Sequence, residues 1–437
     1  MNIVLLSGGS GKRLWPLSNE VRSKQFIKIF RRPNAPKDSP EAYESMVQRV
    51  YRQIKSVDPE ATVTVATSKS QVSAIYNQLG KVGISLEPCR RDTFPAIALA
   101  TARLHDVEGL AREDAVVVCP VDPFVETDYF RCVQRLYEAA KQGRHHLVLM
   151  GIAPTYPSEK YGYIKPDGKG GYTFTEKPNR EKAEEYIAAG ALWNGGVFAY
   201  QLGYVLDKAQ ELLGTAEYTA LYHNYANLKK ISFDYAVVEQ ETSIAVLPYS
   251  GTWEDIGTWN TFTEAMEDAV IGQGLIGDGC EDVHIVNNLN LPILAMGLKN
   301  TVIAASPDGI LVSHRDKADG IKPYVDKLNQ QIMFAEKSWG HYHVLEVQKG
   351  SMTILATLNP GSHMSYHSHE RRDEVWTVIR GSGKTLVDGM EQQVRAGDVI
   401  TMAAGSRHMV TAGDEGLQLI EVQIGDINAA DKRKYEQ

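Results

Sequence analysis

The chain has 437 residues, which is too long for one small core and predicts about two to three domains. Hydrophobic residues make up 43% and charged residues 23% of the chain, as in an ordinary soluble globular protein. The net charge of −8 gives no overall basic field. Composition therefore argues against a general nucleic-acid or anionic-membrane binder, and any phosphate site must be local.

Cysteine usage and the N-terminus bear on the compartment. The four cysteines contain no C-x-x-C pair, which favours reduced, buried thiols over a disulfide framework. The N-terminus lacks a basic segment followed by a long apolar run, and no stretch reaches the roughly 18 apolar residues of a membrane span. We therefore expect a cytoplasmic protein.

A glycine-rich loop follows the first predicted strand. Residues 7–13 read SGGSGKR. Glycines let backbone N–H groups approach an anion, and Arg13 and Lys24 can supply positive charge for phosphate oxygens. The pattern is not a P-loop, because Arg13 follows Lys12, and it is not a dinucleotide fingerprint, because Leu14 stands where the last glycine would fall. A plain glycine turn is the alternative from the glycines alone.

The glycine loop continues into two further motifs, and the whole stretch reads GGSGKRLWPLS at 8–18 and SKQF at 23–26. These motifs resemble GGSGTRLWPLS and PKQF of the nucleotide-sugar pyrophosphorylases, and among them of the mannose-1-phosphate guanylyltransferases. The resemblance implies that Arg13 and Lys24 are catalytic residues that hold the triphosphate. The nucleotide-binding residues it implies in this region are Leu6, Gly8, Gly9 and Gly11.

Strands and helices alternate over the next hundred residues. We predict strands at 61–66, 84–88 and 115–119, and helices at 40–55, 70–79 and 95–110. Such alternation is typical of a doubly wound, mostly parallel α/β sheet. Ligands of such sheets bind at the carboxyl ends of the strands, and the polar residues of this chain cluster there.

Two of these strand ends carry candidate ligands. EPCRRDTFPAIALA at 87–100 resembles the family's EPxxRNTAPAIALA, which lies beside the base, so the resemblance implies nucleotide binding by Glu87 and Arg91. Asp122 follows the strand at 115–119, and the resemblance implies that it binds magnesium. From the residues alone, Arg91 could be a surface arginine and Asp122 a turn or cap residue.

Three motifs resemble the family's sugar side. They are YGYI at 161–164, FTEKP at 174–178 and WNGGVF at 193–198. The resemblance implies sugar binding by Gly162, Glu176 and Asn194. It also implies that Lys177 is a catalytic residue that pairs with the sugar's phosphate. An exposed Glu-Lys pair at a strand end is the alternative reading of EKP alone.

A second magnesium ligand is expected near residue 255. SFDYAVVE at 232–239 and WEDIGTW at 253–259 resemble the family's SIDYAVME and WxDIGTW. Asp255 and Asp122 would then lie at the mouth of one sheet. Two carboxylates completed by substrate phosphates and water suit Mg²⁺. Plain core packing of the tryptophans around Asp255 is the alternative.

The motifs together imply guanylyl transfer from GTP to α-D-mannose 1-phosphate, giving GDP-mannose and pyrophosphate for polysaccharide biosynthesis. Such chemistry needs positioning and charge neutralisation rather than a protein nucleophile. Another sugar 1-phosphate is an alternative acceptor, and a binding or regulatory subunit without turnover is an alternative class. The expected partners are GTP and the sugar 1-phosphate, without nucleic acid or membrane, and the expected assembly is a homodimer.

Two β-rich regions follow the predicted transferase domain at 1–270. Short strands with Gly, Asn and Asp turns predict a small β domain at 271–330, which resembles the family's partial β-helix. Residues 322–336 are predicted to form a charged helix. The spacing G-x5-H-x-H-x4-E-x6-G at 361–381 is typical of a cupin β-barrel, predicted here at 331–437.

The cupin pattern offers its own metal ligands. His367 and His369 are two apart on a predicted strand and so share a face, and Glu374 with His408 could complete a site for zinc, iron or manganese. Surface histidines in a cupin without an ion are the alternative. The region resembles type II phosphomannose isomerases, so a bifunctional enzyme that also interconverts mannose 6-phosphate and fructose 6-phosphate is a further alternative.

Overall fold

The computed structural model describes residues 1–8, 12–19, 21–36, 39, 41–168, 171–328, 331–427 and 431–435. It divides into two compact units. The first comprises Met1–Gly9, Lys24–Val72 and Gln78–Glu267, and the second comprises Ser10–Ser23, Ser73–Asn77 and Asp268–Gln437. The three-domain division at 270 and 330 stays a prediction.

A mixed β-sheet forms the centre of the first unit. The strands as far as residue 267 are β1 (Asn2–Leu6), β2 (Lys28–Arg31), β3 (Tyr43–Ser45), β4 (Thr62–Ser68), β5 (Gly83–Glu87), β6 (Ala115–Pro120), β7 (Pro123–Val125), β8 (Leu147–Ile152), β9 (Tyr163–Pro166), β10 (Tyr172–Thr175), β11 (Leu192–Gln201), β12 (Ile244–Tyr249) and β13 (Trp253–Asp255). The helices over the same range are α1 (Met46–Val57), α2 (Val72–Leu79), α3 (Thr93–Asp106), α4 (Thr127–Lys141), α5 (Arg180–Ala188), α6 (Leu202–Leu213), α7 (Tyr218–Asn224), α8 (Phe233–Ala236) and α9 (Trp259–Glu264).

The predicted doubly wound sheet is confirmed. Strands β5, β4, β1 and β6 are parallel neighbours in that order, and β11 continues the sheet antiparallel to β6. β8 and β9 both pair with β11. The apolar runs of β1 and β6 are buried, as expected for parallel strands covered by helices on both faces. Their carboxyl ends, with that of β5, bring Leu6, Glu87 and Pro120 to one sheet edge.

Two helix starts differ from the sequence prediction. Helix α1 begins at Met46 rather than near 40, because Ser45 and Gln48 form a reciprocal capping box and the preceding residues pair with β2 as β3. Helix α3 begins at Thr93, and Asp92 accepts a hydrogen bond from the Thr93 backbone N–H. Pro95 is then the third residue of α3. Its missing backbone N–H costs no hydrogen bond there, because the first N–H groups of a helix have no partner within the helix.

Short parallel strands follow residue 268 in the second unit, as predicted for a partial β-helix. They are β14 (Val270–Ile271), β15 (Gly274–Ile276), β16 (Glu281–Asn287), β17 (Ile293–Ala295), β18 (Lys299–Ser306) and β19 (Gly309–His314). β14, β16 and β18 form one parallel ladder, β15 and β17 form another, and β19 is antiparallel to β18. The predicted helix at 322–336 is wrong: helix α10 (Lys322–Val325) is one turn, and the segment from Phe334 is extended.

The remaining strands form the predicted cupin fold as a curled antiparallel sheet. They are β20 (Phe334–Lys337), β21 (Gly340–Gln348), β22 (Ser351–Leu358), β23 (His367–His369), β24 (Arg372–Val387), β25 (Met390–Arg395), β26 (Val399–Met402), β27 (His408–Gly425) and β28 (Lys432–Lys434). Trp376, Val378 and Leu419 lie in its apolar core. Across the described ranges, no helix has the length and apolar character needed to cross a bilayer.

Candidate functional site

A lysine between two aspartates marks the first part of the site. The Lys24 ammonium lies 3.1 Å from Asp122 Oδ2 and 3.4 Å from Asp255 Oδ1. It also donates a 2.9 Å hydrogen bond to the Ile256 carbonyl oxygen. The Lys24 side chain is 17% exposed, and the two carboxylates are 41% and 46% exposed. The structure thus brings together three predicted site residues that are separated by up to 231 positions.

The fold explains this convergence. Strands β7 and β13 form a two-stranded antiparallel ribbon in which Asp255 faces Pro123, the residue after Asp122. Each aspartate therefore lies at the same end of one ribbon. Beside Lys24, the buried Gln25 donates hydrogen bonds to Ser7 Oγ at 3.0 Å and to Gln71 Oε1 at 3.4 Å. These bonds fix the segment that carries the lysine next to the end of β1.

The pair of aspartates fits a magnesium ion. Both carboxylates already face one cation, the Lys24 ammonium, and carboxylate oxygens are the donors that Mg²⁺ prefers. Their partial exposure leaves room for the phosphates and water that complete most protein magnesium sites. Asp122 and Asp255 are therefore the residues that would hold it.

A second group of predicted residues surrounds a small polar pocket. Gly162, Glu176 and Asn194 line it together with Asp234. The Asn194 backbone N–H donates to the Gly162 carbonyl oxygen at 2.8 Å, which ties β11 to the start of β9. A Cβ at Gly162 would lie 2.5 Å from Glu176 Oε2, so only glycine leaves this carboxylate its position.

Asp234 is a pocket residue that the sequence analysis quoted within a motif but did not single out. Its Oδ1 accepts a 2.5 Å hydrogen bond from Asn194 Nδ2. Burial, helped by the negative charge of Glu176, raises the pKa of Asp234 to about 6 in spite of that bond. Asp234 lies in α8, which Ser232 caps, and the signal available in the sequence was its place within the SFDYAVVE motif.

Lys177 stands at the rim of the same pocket. Its ammonium lies 2.8 Å from Glu176 Oε1, and the side chain is 63% exposed. The hydrogen bond and charge of Glu176 raise the pKa of Lys177, which keeps it cationic. The backbone of Lys177 has a φ of 43°, a left-handed conformation that residues other than glycine rarely adopt. Such conformations are concentrated at functional sites.

An aromatic cluster joins the sugar-side residues to the aspartate ribbon. The Tyr161 ring is 5.0 Å, centroid to centroid, from both Trp193 and Trp253. Trp193 precedes Asn194 on β11, and Trp253 begins the strand that ends at Asp255. Packed edge-to-face rings of this kind hold the two strands in a fixed relation. The aromatic cluster thus connects the ribbon to the polar pocket within the first unit.

The structure describes some of the predicted nucleotide-binding residues. Leu6 ends β1, Gly8 follows it as an exposed residue, and Gly9 and Gly11 lie outside the described residues. Glu87 accepts a 2.9 Å hydrogen bond from the Tyr225 hydroxyl, and burial raises the pKa of Glu87.

Two predicted arginines have different surroundings. Arg91 donates to the carbonyl oxygens of Tyr225 and Ala226, so it is held against the loop that Glu87 also contacts. Arg13 is exposed in a short 3-10 turn, Lys12–Leu14, that groups with the second unit. The fold therefore assigns the two predicted triphosphate ligands, Arg13 and Lys24, to different compact units.

The four predicted cupin ligands form one buried cluster. One potential ligand atom from each of His367, His369, Glu374 and His408 lies within 4.8 Å of the others. His367 and His408 are opposite each other on β23 and β27, and Glu374 is on β24, which pairs with β27. Burial lowers the pKa of His367 to about 3 and that of His369 to about 4, which favours the neutral imidazole that binds metals.

The hydrogen bonds around this cluster fit a cation. The Nδ1 atoms of His367 and His408 lie 2.6 and 3.0 Å from carbonyl oxygens, an arrangement that places the proton on Nδ1 and turns the Nε2 lone pair inward. His408 Nε2 and Glu374 Oε2, 3.3 Å apart, then face each other as two acceptors, and neither has a hydrogen-bond partner among the described residues.

Arg372 is a charged neighbour that the sequence analysis did not include among the ligands. Its guanidinium donates to Glu374 Oε1 at 3.0 Å and lies 2.9 Å from His369 Nε2. Burial opposes the ionised form of Glu374, but the cationic Arg372, which donates to this carboxylate, helps to lower the pKa of Glu374. The carboxylate is therefore ionised, as a metal ligand must be.

Comparisons with known proteins agree with this architecture. A family model described as nucleotidyl transferase matches residues 2–270, and one described as mannose-6-phosphate isomerase C-terminal matches residues 326–436. The chain is 29% identical to the xanthan biosynthesis protein XanB of Xanthomonas campestris pv. campestris (strain B100), with 97% of this chain and 95% of the relative covered. It is 27% identical to a mannose-1-phosphate guanylyltransferase of Klebsiella pneumoniae, with the same coverage.

A solved structure is also similar. The crystal structure of "mannose-1-phosphate geranyltransferase" from Thermus thermophilus has a TM-score of 0.61 and 28% identity, and the match covers 75% of this chain and 98% of that chain. The resemblance inferred from the motifs is thereby confirmed. Because the first family model covers more than half of the sequence, this chain is an enzyme of the nucleotidyl transferase family, and it carries a mannose-6-phosphate isomerase C-terminal domain.

Proposed function

We propose that the enzyme transfers a guanylyl group from GTP to α-D-mannose 1-phosphate and so forms GDP-mannose and pyrophosphate in the cytoplasm. The observation that carries this proposal is the convergence of Lys24, Asp122 and Asp255 on one point beside the end of β1. Relatives named mannose-1-phosphate guanylyltransferase support the choice of base and sugar.

The residues have separable roles in this reaction. A phosphate oxygen of the sugar 1-phosphate attacks the α-phosphorus of GTP, and the bond from that phosphorus to the β-phosphate bridging oxygen breaks. Magnesium held by Asp122 and Asp255 would neutralise phosphate charge. Lys24 and Arg13 orient the triphosphate and stabilise the leaving pyrophosphate, and Lys177 orients the attacking phosphate.

The polar pocket supports a sugar acceptor. Glu176, Asn194 and Asp234 present acceptors and a donor for hydroxyl groups, and Lys177 at the rim provides the positive charge that a 1-phosphate needs. Glu87, Arg91 and the glycine loop would bind the nucleotide.

A direct assay tests this function. The purified chain is incubated with magnesium, each of the four common nucleoside triphosphates and a panel of sugar 1-phosphates, and pyrophosphate release is measured. We expect the highest kcat/KM for GTP with mannose 1-phosphate. Release only with another sugar would reject the proposed acceptor, and nucleotide binding without release in any combination would favour a non-catalytic subunit.

The cupin cluster favours a second candidate activity, the interconversion of mannose 6-phosphate and fructose 6-phosphate. It is supported by the buried ligand set His367, His369, Glu374 and His408 and by the isomerase family match. Zinc, iron or manganese bound there would polarise the sugar carbonyl. Metal analysis of the purified protein, combined with an isomerase assay, tests this activity: a loaded cluster without isomerisation would leave the metal a structural or sensing role.

A further inference from the structure

Residues 12–23, called here the motif segment, include Arg13. They are held by the β-strands that follow residue 268. Residues 10–23 and the strands from 268 onward belong to the same compact unit. The contacts converge on the tight turn between β18 and β19, residues 306–309, which reads SPDG. This turn is about 290 positions away from the segment it contacts.

Two residues of the turn contact the WPLS part of the motif. Ser306 is buried, and its hydroxyl donates a 2.6 Å hydrogen bond to the Pro16 carbonyl oxygen. Gly309 packs against the Trp15 indole so closely that a Cβ would lie 2.5 Å from Trp15 Cζ2. These contacts leave the WPLS part of the motif little freedom to move independently of the turn.

Asp308 makes the contacts that connect three segments. Its Oδ2 accepts a 2.6 Å hydrogen bond from Asn19 Nδ2 in the motif. Its Oδ1 accepts a 2.8 Å hydrogen bond from the Met333 backbone N–H, immediately before the first cupin strand. The Asn19 side chain in turn accepts hydrogen bonds from the backbone N–H groups of Val21 and Arg22, so Asp308 orients the residue that shapes the end of the motif loop.

A charged group strengthens the same attachment. The half-buried Arg22 guanidinium lies 5.3 Å from the centre of the Phe334 ring on β20. Burial lowers the pKa of Arg22, and the negative charges of Glu336 and Asp308 oppose that effect. The motif segment is thus fixed at both ends of 15–22 to residues outside the transferase sheet.

We propose that the 306–309 turn is a positioning element for nucleotidyl transfer, and that Asp308 is its central positioning residue. The inference rests on the proposed function, because it acts through Arg13, which is assigned there to the nucleoside triphosphate. Asp308 holds the segment that carries Arg13 through Asn19, whereas the sugar-side residues Glu176 and Asn194 belong to the first unit.

The test compares Asp308→Ala and Ser306→Ala with wild type in the full chain. We expect the Kd for GTP by calorimetry and the KM for GTP to rise about 10- to 100-fold in Asp308→Ala, and about threefold in Ser306→Ala, because ångström-scale misplacement of binding groups has effects of this size. The KM for the sugar 1-phosphate is expected to stay within twofold. The matched control is Glu281→Gln, which removes an exposed 2.8 Å ion pair with Lys299 in the same domain.

The readouts separate positioning from a loss of folded protein. A smaller fraction of folded enzyme lowers the apparent kcat but changes neither the KM for GTP nor the KM for the sugar 1-phosphate. A rise in the KM for GTP alone therefore indicates that Asp308 positions the nucleotide site. An unchanged Kd and KM for GTP in folded Asp308→Ala overturns the proposal. If that variant does not fold, an unchanged value in Ser306→Ala overturns it. Wild-type protein without pyrophosphate release would refute the proposed function, while the calorimetric comparison would still decide the role of Asp308.

Discussion

Replacing Asp234 by Asn tests whether the sugar-side pocket keeps a carboxylate at a cost in stability. Burial raises the pKa of Asp234 from 3.8 to about 6. An acid whose pKa is higher in the folded state binds more protons there, so the free energy of unfolding falls as the pH rises from about 4 to above 6. The ionised carboxylate therefore destabilises the folded protein at neutral pH.

The size of the effect follows from the shift. Each pKa unit corresponds to about 1.4 kcal/mol, so this shift corresponds to at most about 3 kcal/mol above pH 7. Asp234 is only partly buried, and screening by water reduces this to roughly 1–2 kcal/mol. Asparagine keeps an acceptor for the Asn194 amide and cannot ionise. Asp234→Asn should thus be more stable than wild type at pH 8 by roughly 1–2 kcal/mol, and the difference should vanish near pH 4.

The assay is denaturant unfolding at pH 4, 6 and 8, with Glu185→Gln on an exposed face of α5 as a charge-matched control that should change nothing. Asp234→Asn should also lower kcat/KM for the sugar 1-phosphate about tenfold, because it removes a charged acceptor worth roughly 1.5 kcal/mol. A stability difference between Asp234→Asn and wild type that is the same at pH 4 and pH 8 would refute the reasoning.

Three further predictions concern other parts of the site. Asp255→Asn should lower pyrophosphate release by about 10²- to 10³-fold at unchanged circular dichroism. Glu254→Gln, which changes an exposed neighbour on the same strand, should leave pyrophosphate release unchanged. Near-wild-type turnover in Asp255→Asn would show that Asp255 is not a metal ligand. Lys177→Met should raise the KM for the sugar 1-phosphate about tenfold or more, with partial recovery in Lys177→Arg, and an unchanged KM would exclude contact with that phosphate. His408→Ala should reduce metal bound per chain by roughly tenfold or more in mass spectrometric analysis, while guanylyl transfer stays normal; retained metal would place the ion elsewhere.

Local pattern was enough to predict the scaffold. The apolar runs that became β1 and β6 are legible in the sequence because parallel strands buried on both faces are continuously hydrophobic. The start of α1 could not be predicted from the sequence, because Ser45 is both the helix cap and a strand residue paired with β2. That pairing depends on tertiary structure. The helix predicted after 322 failed for the same reason, since its later residues pair with β21.

Motifs identified candidate ligands but not their neighbours. Asp122 and Asp255 carry recognisable surroundings in the sequence, whereas the place of Lys24 between them depends on the β7–β13 ribbon. Arg372 was visible only as an arginine near the cupin histidines, and its contact with His369 depends on how β23 and β24 are arranged. The attachment of the motif segment to Asp308 joins residues 289 positions apart, a distance over which sequence periodicity carries no information.

The central claim is that Asp122 and Asp255 share one divalent cation at the site of nucleotidyl transfer. Crystals of the full chain soaked with Mn²⁺ and GDP-mannose, measured at the manganese absorption edge, test it directly. We predict an anomalous peak coordinated by both carboxylates and by a phosphate of the nucleotide. Bound GDP-mannose with Asp122 and Asp255 still paired to Lys24, and no manganese at either carboxylate, would contradict the claim.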